Sequence, residues 1–165
     1  MTETRVKFHH AILSLLILGV AQFSLAQNKS PEWQPYFSSL IVSDMKRSVD
    51  WYTTVLGFKI ENQVDSKERG FKQCNLKTET AALELIELQS AVSPGSVIPD
   101  YNEKTRIVGY FKWGISVADF DTWMEHLNRH EVNRSGTVVN DPATGKRMAI
   151  ILDPDGNRIQ LFEIK

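Results

Sequence analysis

His126 and His130 stand four residues apart, a spacing that sets two imidazoles on one helical face where they can share a metal ion. Leu127, Asn128 and Arg129 fill the interval, so the glutamate of a hydrolytic metal helix is missing and a solvated helix face is expected. Asp153-Pro154-Asp155-Gly156 has the outline of a calcium loop, in which the first and twelfth positions must supply oxygen ligands. Setting Gly156 on that loop's glycine puts Ile151 first and Phe162 twelfth. Neither side chain ligates, so a hairpin turn is expected. Cys74 is the single cysteine. It excludes an intramolecular disulfide and any multi-thiolate metal centre, and a small half-buried hydrophobe is its expected role. No contiguous motif here performs chemistry. A site has to be assembled by the fold from residues far apart in sequence.

Composition bounds what that fold can be. Of the 165 residues, 42% are hydrophobic and 24% charged, which is ordinary globular usage and excludes wholesale disorder. Lys and Arg number 19 against 20 Asp and Glu, so the basic excess that a broad nucleic-acid-binding surface needs is missing. At the N-terminus, Arg5 and Lys7 precede an apolar run over 11–21, and Ser24-Leu25-Ala26 places small residues where a signal peptidase reads them. That order predicts a secretory signal over 1–26 and a periplasmic or secreted protein beginning at Gln27. The apolar run falls short of the roughly 20 residues that cross a bilayer, so no stable membrane span is expected. An uncleaved anchor lying on the membrane surface is the alternative.

The remainder contains a repeat. Leu40-Ile41-Val42-Ser43-Asp44 returns as Ile115-Ser116-Val117-Ala118-Asp119 at an offset of 75, and the run 83–88 returns as 159–164 at an offset of 76. Two fused copies of one module are predicted, each too small to bury a good core alone. A lead-in over 27–35 precedes module one at 36–88, a connection at 89–108 and module two at 109–165. Within module one, Tyr36 to Val42 reads as a strand. Asp44 caps a helix on which Met45, Val49, Tyr52 and Leu56 follow a 3.6-residue period, and Gly57 stops it. Strands follow at Phe58 to Val64, Phe71 to Lys77 and Ala82 to Leu88. Module two repeats the order with a strand at Phe111 to Val117, a helix capped by Asp119, a strand around Val132 to Val139, and a hairpin of Arg147 to Leu152 with Arg158 to Ile164.

Val42-Ser43-Asp44-Met45, Ser48, Trp51-Tyr52, Leu56-Gly57-Phe58 and the closing Asp153-Pro154-Asp155-Gly156-Asn157 together resemble the vicinal oxygen chelate superfamily. That superfamily includes glyoxalase I, bleomycin-resistance proteins, extradiol dioxygenases and fosfomycin-resistance enzymes. The resemblance spans about Tyr36 to Lys165. It implies an α+β fold of two βαβββ modules whose strands form a cupped mixed sheet with the helices outside. It also implies a small-molecule site in the cup, with the cup closed within one chain or shared between two chains of a homodimer.

Metal-dependent members of that superfamily place ligands on the first and last strand of each module, and the matching positions here are Phe37, Glu84, Lys112 and Gln160. Phenylalanine has no donor atom, and a protonated lysine has no free lone pair and repels a dication. Glu84 is a good ligand and Gln160 a weak one, which is too few for a catalytic metal, so no cofactor is expected. Lys112 and Glu84 are then expected to pair across the cup, because an unpaired buried charge costs several kcal/mol. Either they form a structural substitute for the metal, or Lys112 anchors an acidic or carbonyl-bearing ligand. Phe37, Ser39, Ser116 and Gln160 complete the expected lining, with Arg158 and Phe162 facing the cup from the last strand. Tyr101 and Arg106 lie in the connection, where a solvated loop is the default. The reading is an exported, metal-free small-molecule-binding protein in the manner of the bleomycin-resistance members. The alternative is a metal-dependent glyoxalase-type lyase or isomerase, or a dioxygenase.

Overall fold

The computed structural model describes residues 34–102 and 104–164, so the secretory signal read over 1–26 lies outside the described residues. In chain order the elements are β1 (Ser38–Ile41), α1 (Met45–Val55), β2 (Lys59–Ser66), β3 (Phe71–Lys77), β4 (Ala82–Leu88), α2 (Pro94–Val97), β5 (Trp113–Val117), α3 (Phe120–Arg129), β6 (Val139–Asn140), β7 (Arg147–Leu152) and β8 (Arg158–Glu163). They belong to one unit, Tyr36–Lys165.

Helix α1 begins where Asp44 says it should. The Asp44 backbone is extended, and its carboxylate accepts the Arg47 amide at 2.9 Å, satisfying a donor that has no partner within the helix. Met45, Ser48, Val49, Tyr52 and Val55 recur every three or four residues and form the buried face. Gly57 ends this segment at φ +71°, a left-handed conformation that a Cβ resists. Asp119 repeats the device for α3 by accepting the Thr122 amide at 3.0 Å.

The strands form two four-stranded mixed sheets of identical pattern, β1-β4-β3-β2 and β5-β8-β7-β6. In each, the first strand runs parallel to the last and the remaining pairs are antiparallel. The predicted βαβββ repeat is therefore present. No ladder joins β1 to β5 among the described residues, so the expected mixed sheet consists of one four-stranded sheet per module. The strand expected over Val132 to Val139 is cut to Val139–Asn140 with an isolated bridge from Arg134 to Ile151, because Gly136 at φ +87° breaks the extended run. One face of each sheet packs on its helices. Tyr52, Leu76, Leu85, Phe120, Leu127, Ile151, Ile159 and Leu161 are fully buried there, each contributing about 1.5–3 kcal/mol of apolar burial. Cys74 lies deeper than expected, fully buried on the core face of β3 opposite Leu85.

Polar contacts at both ends of α1 help to tie module to module. The turn at Asp153 to Asn157 reverses the chain as expected, and it also clasps α1. Buried Tyr52 donates its hydroxyl to Asp153 Oδ2 at 2.8 Å, while Asp155 accepts the Ser43 amide at 3.1 Å and Arg47 Nη2 at 2.9 Å. At the other end of α1, His126 Nε2 lies 2.9 Å from the Val55 carbonyl. A carbonyl only accepts, so this nitrogen carries the proton. His126 is half-buried by that bond and by the edge of Trp123, which corrects the expected solvated face; His130 is exposed.

Candidate functional site

Strand alternation leaves one face of each sheet turned away from the helices, and the register decides what meets there. In the first sheet Ser39 sits opposite Glu84, Glu84 opposite Asn75, and Asn75 opposite Asn62. A β-bulge between Ile60 and Asn62 brings Asn62 into that row. The side chains link up: Ser39 Oγ donates to Glu84 Oε2 at 2.7 Å, Gln73 Nε2 to Glu84 Oε1 at 2.5 Å, and Asn75 Nδ2 to Asn62 Oδ1 at 2.8 Å. Glu84 thus sits at the centre of a polar band crossing all four strands. Gln73, Asn75 and Asn62 were absent from the sequence reading of the site. Their signal was available, since Gln73 and Asn75 alternate with the apolar Cys74 and Leu76 along β3.

The second sheet carries a blunter version. Gln160, at the position equivalent to Glu84, points its amide at Met148 Sδ, 2.9 Å away, and Met148 stands where module one has Gln73. Gly114 and Ser116 keep this face of β5 small and exposed. Phe162 is half-buried, with the Lys146 ammonium 6.0 Å from its ring centroid.

Phe37 and Lys112 lie just outside the strands that were expected to hold them, which begin at Ser38 and Trp113. Phe37 is 53% exposed and meets the edge of Tyr36. Lys112 and Glu84 form no ion pair, which corrects the expected pairing. Both Glu84 oxygens accept hydrogen bonds from Ser39 and Gln73, and the exposed Lys112 ammonium lies 5.9 Å from the Phe111 ring centroid. A solvated ammonium has no desolvation cost that a carboxylate must offset.

Lys112 instead lines a cavity of about 670 Å³ between the connection, the end of β1 and the start of β8. Tyr101 and Arg106 line it as well, so the connection contributes a wall and is not merely a solvated loop. Tyr110, Phe111 and Arg158 complete its aromatic and cationic side. The volume suits a small organic ligand.

The four positions that hold metal in the resembled proteins do not fit a metal here. Phe37 and Lys112 offer no lone pair, Gln160 offers only a neutral amide oxygen, and Glu84 alone offers a carboxylate.

Comparison with known proteins places this geometry among relatives. The family model described as Glyoxalase/Bleomycin resistance protein/Dioxygenase superfamily matches residues 34–161. The YaeR protein of Escherichia coli (strain K12) is 29% identical over 130 residues, covering 79% of this chain and 95% of its own. The crystal structure of SMU.1112c superposes with a TM-score of 0.65 at 25% identity, over 80% of this chain and all (100%) of that one. The trypanothione-dependent glyoxalase I of Leishmania major matches in fold with a TM-score of 0.59 at 24% identity, over 79% of this chain and 87% of that one.

Proposed function

This chain belongs to the glyoxalase/bleomycin resistance protein/dioxygenase superfamily, and from that premise we propose that it is an exported protein that binds a small molecule without using a metal. The observation that carries this reading is the replacement of two ligand positions by Phe37 and Lys112. The remaining carboxylate, Glu84, is held by Ser39 and Gln73 as a hydrogen-bonding centre. Ser39, Glu84, Ser116 and Gln160 are the polar contacts and Phe37 an apolar wall on the sheet faces, while Lys112 offers a charge at the connection cavity. These groups orient a ligand, and the Ser39 hydroxyl is already committed to Glu84 at 2.7 Å.

A thermal-shift screen of the full chain against small organic molecules tests the binding. At least one compound raises Tm by mass action, and Lys112→Ala or Glu84→Gln removes that shift while leaving the unliganded Tm in place. Turnover of a glyoxalase or dioxygenase substrate by the metal-supplemented chain would replace this reading with the metal-dependent alternative. Export is tested separately, by the N-terminus of the protein recovered from the cell envelope or medium. Gln27 is the expected first residue; an intact 1–26 segment on a cytoplasmic protein would contradict it.

A further inference from the structure

Around the connection cavity the charges are arranged unevenly. Phe111 is 52% exposed, and two cations lie against its ring: the Arg158 guanidinium carbon is 5.2 Å and the Lys112 ammonium 5.9 Å from the centroid. Neither cation has a carboxylate partner among the described residues. Among the described lining residues the one acid, Asp155, is already bound to Arg47 at 2.9 Å and to Ser43. Lys112 and Arg158 therefore make the Phe111 side of the cavity positive over an aromatic floor.

A cation against a ring gains about 0.5–1 kcal/mol at an exposed site. Two cations sharing one ring also repel each other, and that repulsion is relieved when an anion sits between them. Tyr101 and Tyr110, 43% and 71% exposed, present further ring surface on the same cavity. A flat ring is the shape that stacks on them. The geometry points to this cavity as the binding site for a small aromatic acid, its anionic group held between Arg158 and Lys112 and its ring lying among Phe111, Tyr101 and Tyr110. This rests on the small-molecule reading above and names its ligand class. It also moves the principal anchor from the Glu84 band to the Arg158–Phe111–Lys112 cluster.

Benzoate and phenyl phosphate share the ring and differ in the anion, so calorimetric titration of the full chain with each distinguishes a carboxylate ligand from a phosphate one. Benzyl alcohol supplies the ring without charge and inorganic phosphate the charge without a ring. At least one aromatic anion is expected to bind with 1:1 stoichiometry, about tenfold or more tighter than both controls, and to weaken as salt rises. Arg158→Gln and Lys112→Gln are each expected to weaken it about fivefold or more, and Phe111→Leu similarly, with melting curves showing that the variants fold. Equal binding of benzyl alcohol overturns the proposal, as does failure of both aromatic anions to bind the wild-type chain. If anion binding survives Arg158→Gln and Lys112→Gln but is lost in Glu84→Gln, the ligand sits on the polar band. In that case the cavity assignment fails and the small-molecule reading stands.

Discussion

Single side chains in this protein do work that their neighbours in sequence do not reveal. Tyr52 is fully buried, and its hydroxyl donates to Asp153 from the other module. Burial and the Asp153 carboxylate hold its phenol far above the usual range, so it remains a donor at every accessible pH. Tyr52→Phe keeps the ring and removes one hydrogen bond to a charged group, and a loss of about 1.5–3 kcal/mol is expected from urea denaturation midpoints. Glu87 works at the start of α1. The Lys72 ammonium at 2.7 Å and the Met45 amide at 2.6 Å hold its carboxyl below the ordinary range. Because the folded form titrates lower than the unfolded one, this stabilisation is complete above the unfolded pKa near ~4.3 and fades as pH falls through the folded value. Glu87→Gln is expected to flatten the acid limb of the stability–pH curve, read from Tm between neutral and acid pH. An unchanged acid limb would assign acid sensitivity elsewhere. Nothing in the sequence around Glu87 announced this role, since it comes from a strand reaching across to a helix end.

Among the elements, the parts whose signals are local were legible and those set by pairing were not. Asp44 and Asp119 announced both long helices by residue type, and each side chain caps as expected. Asp44→Ala is expected to cost about 1 kcal/mol, measured by chemical denaturation, and Asp44→Asn to recover most of it. The repeat read from offsets of 75 and 76 extends further than its apolar matches showed. Lys72 and Glu87 of module one correspond to Arg147 and Glu163 of module two, and both pairs are ion pairs across adjacent strands. Strand lengths were less legible. β1 and β5 are shorter than their apolar runs, because Phe37 and Phe111 leave the ladder for an exposed wall and a cavity floor. The partners of Glu84 were invisible for a related reason. Gln73 approaches it diagonally from the neighbouring strand, and such a pairing exists only once the register is fixed.

Across the molecule, the two modules are held together by polar contacts at both ends of α1 as well as by the shared core. Asp155 joins Ser43 and Arg47, Asp153 joins Tyr52, and His126 joins the Val55 carbonyl. Asp155→Ala therefore removes contacts between modules while leaving each module's core untouched. It is expected to lower Tm and to broaden the unfolding transition if the modules begin to melt separately, which scanning calorimetry reads from the ratio of van't Hoff to calorimetric enthalpy. The same clasp places the turn beside the connection cavity, so the cavity and the junction share Asp155. We read this chain as a metal-free member of its superfamily. Its relatives include a glyoxalase I matched in fold alone, while here Phe37 and Lys112 stand at ligand positions and Glu84 is occupied by Ser39 and Gln73. Elemental analysis of the full chain, purified without a polyhistidine tag and then offered Zn, Ni, Mn, Co and Fe, tests this most directly. The expected result is substoichiometric metal and no Tm shift that depends on Glu84. One equivalent of bound metal, lost in Glu84→Ala, would contradict the account and return the protein to the metal-dependent enzymes of its superfamily.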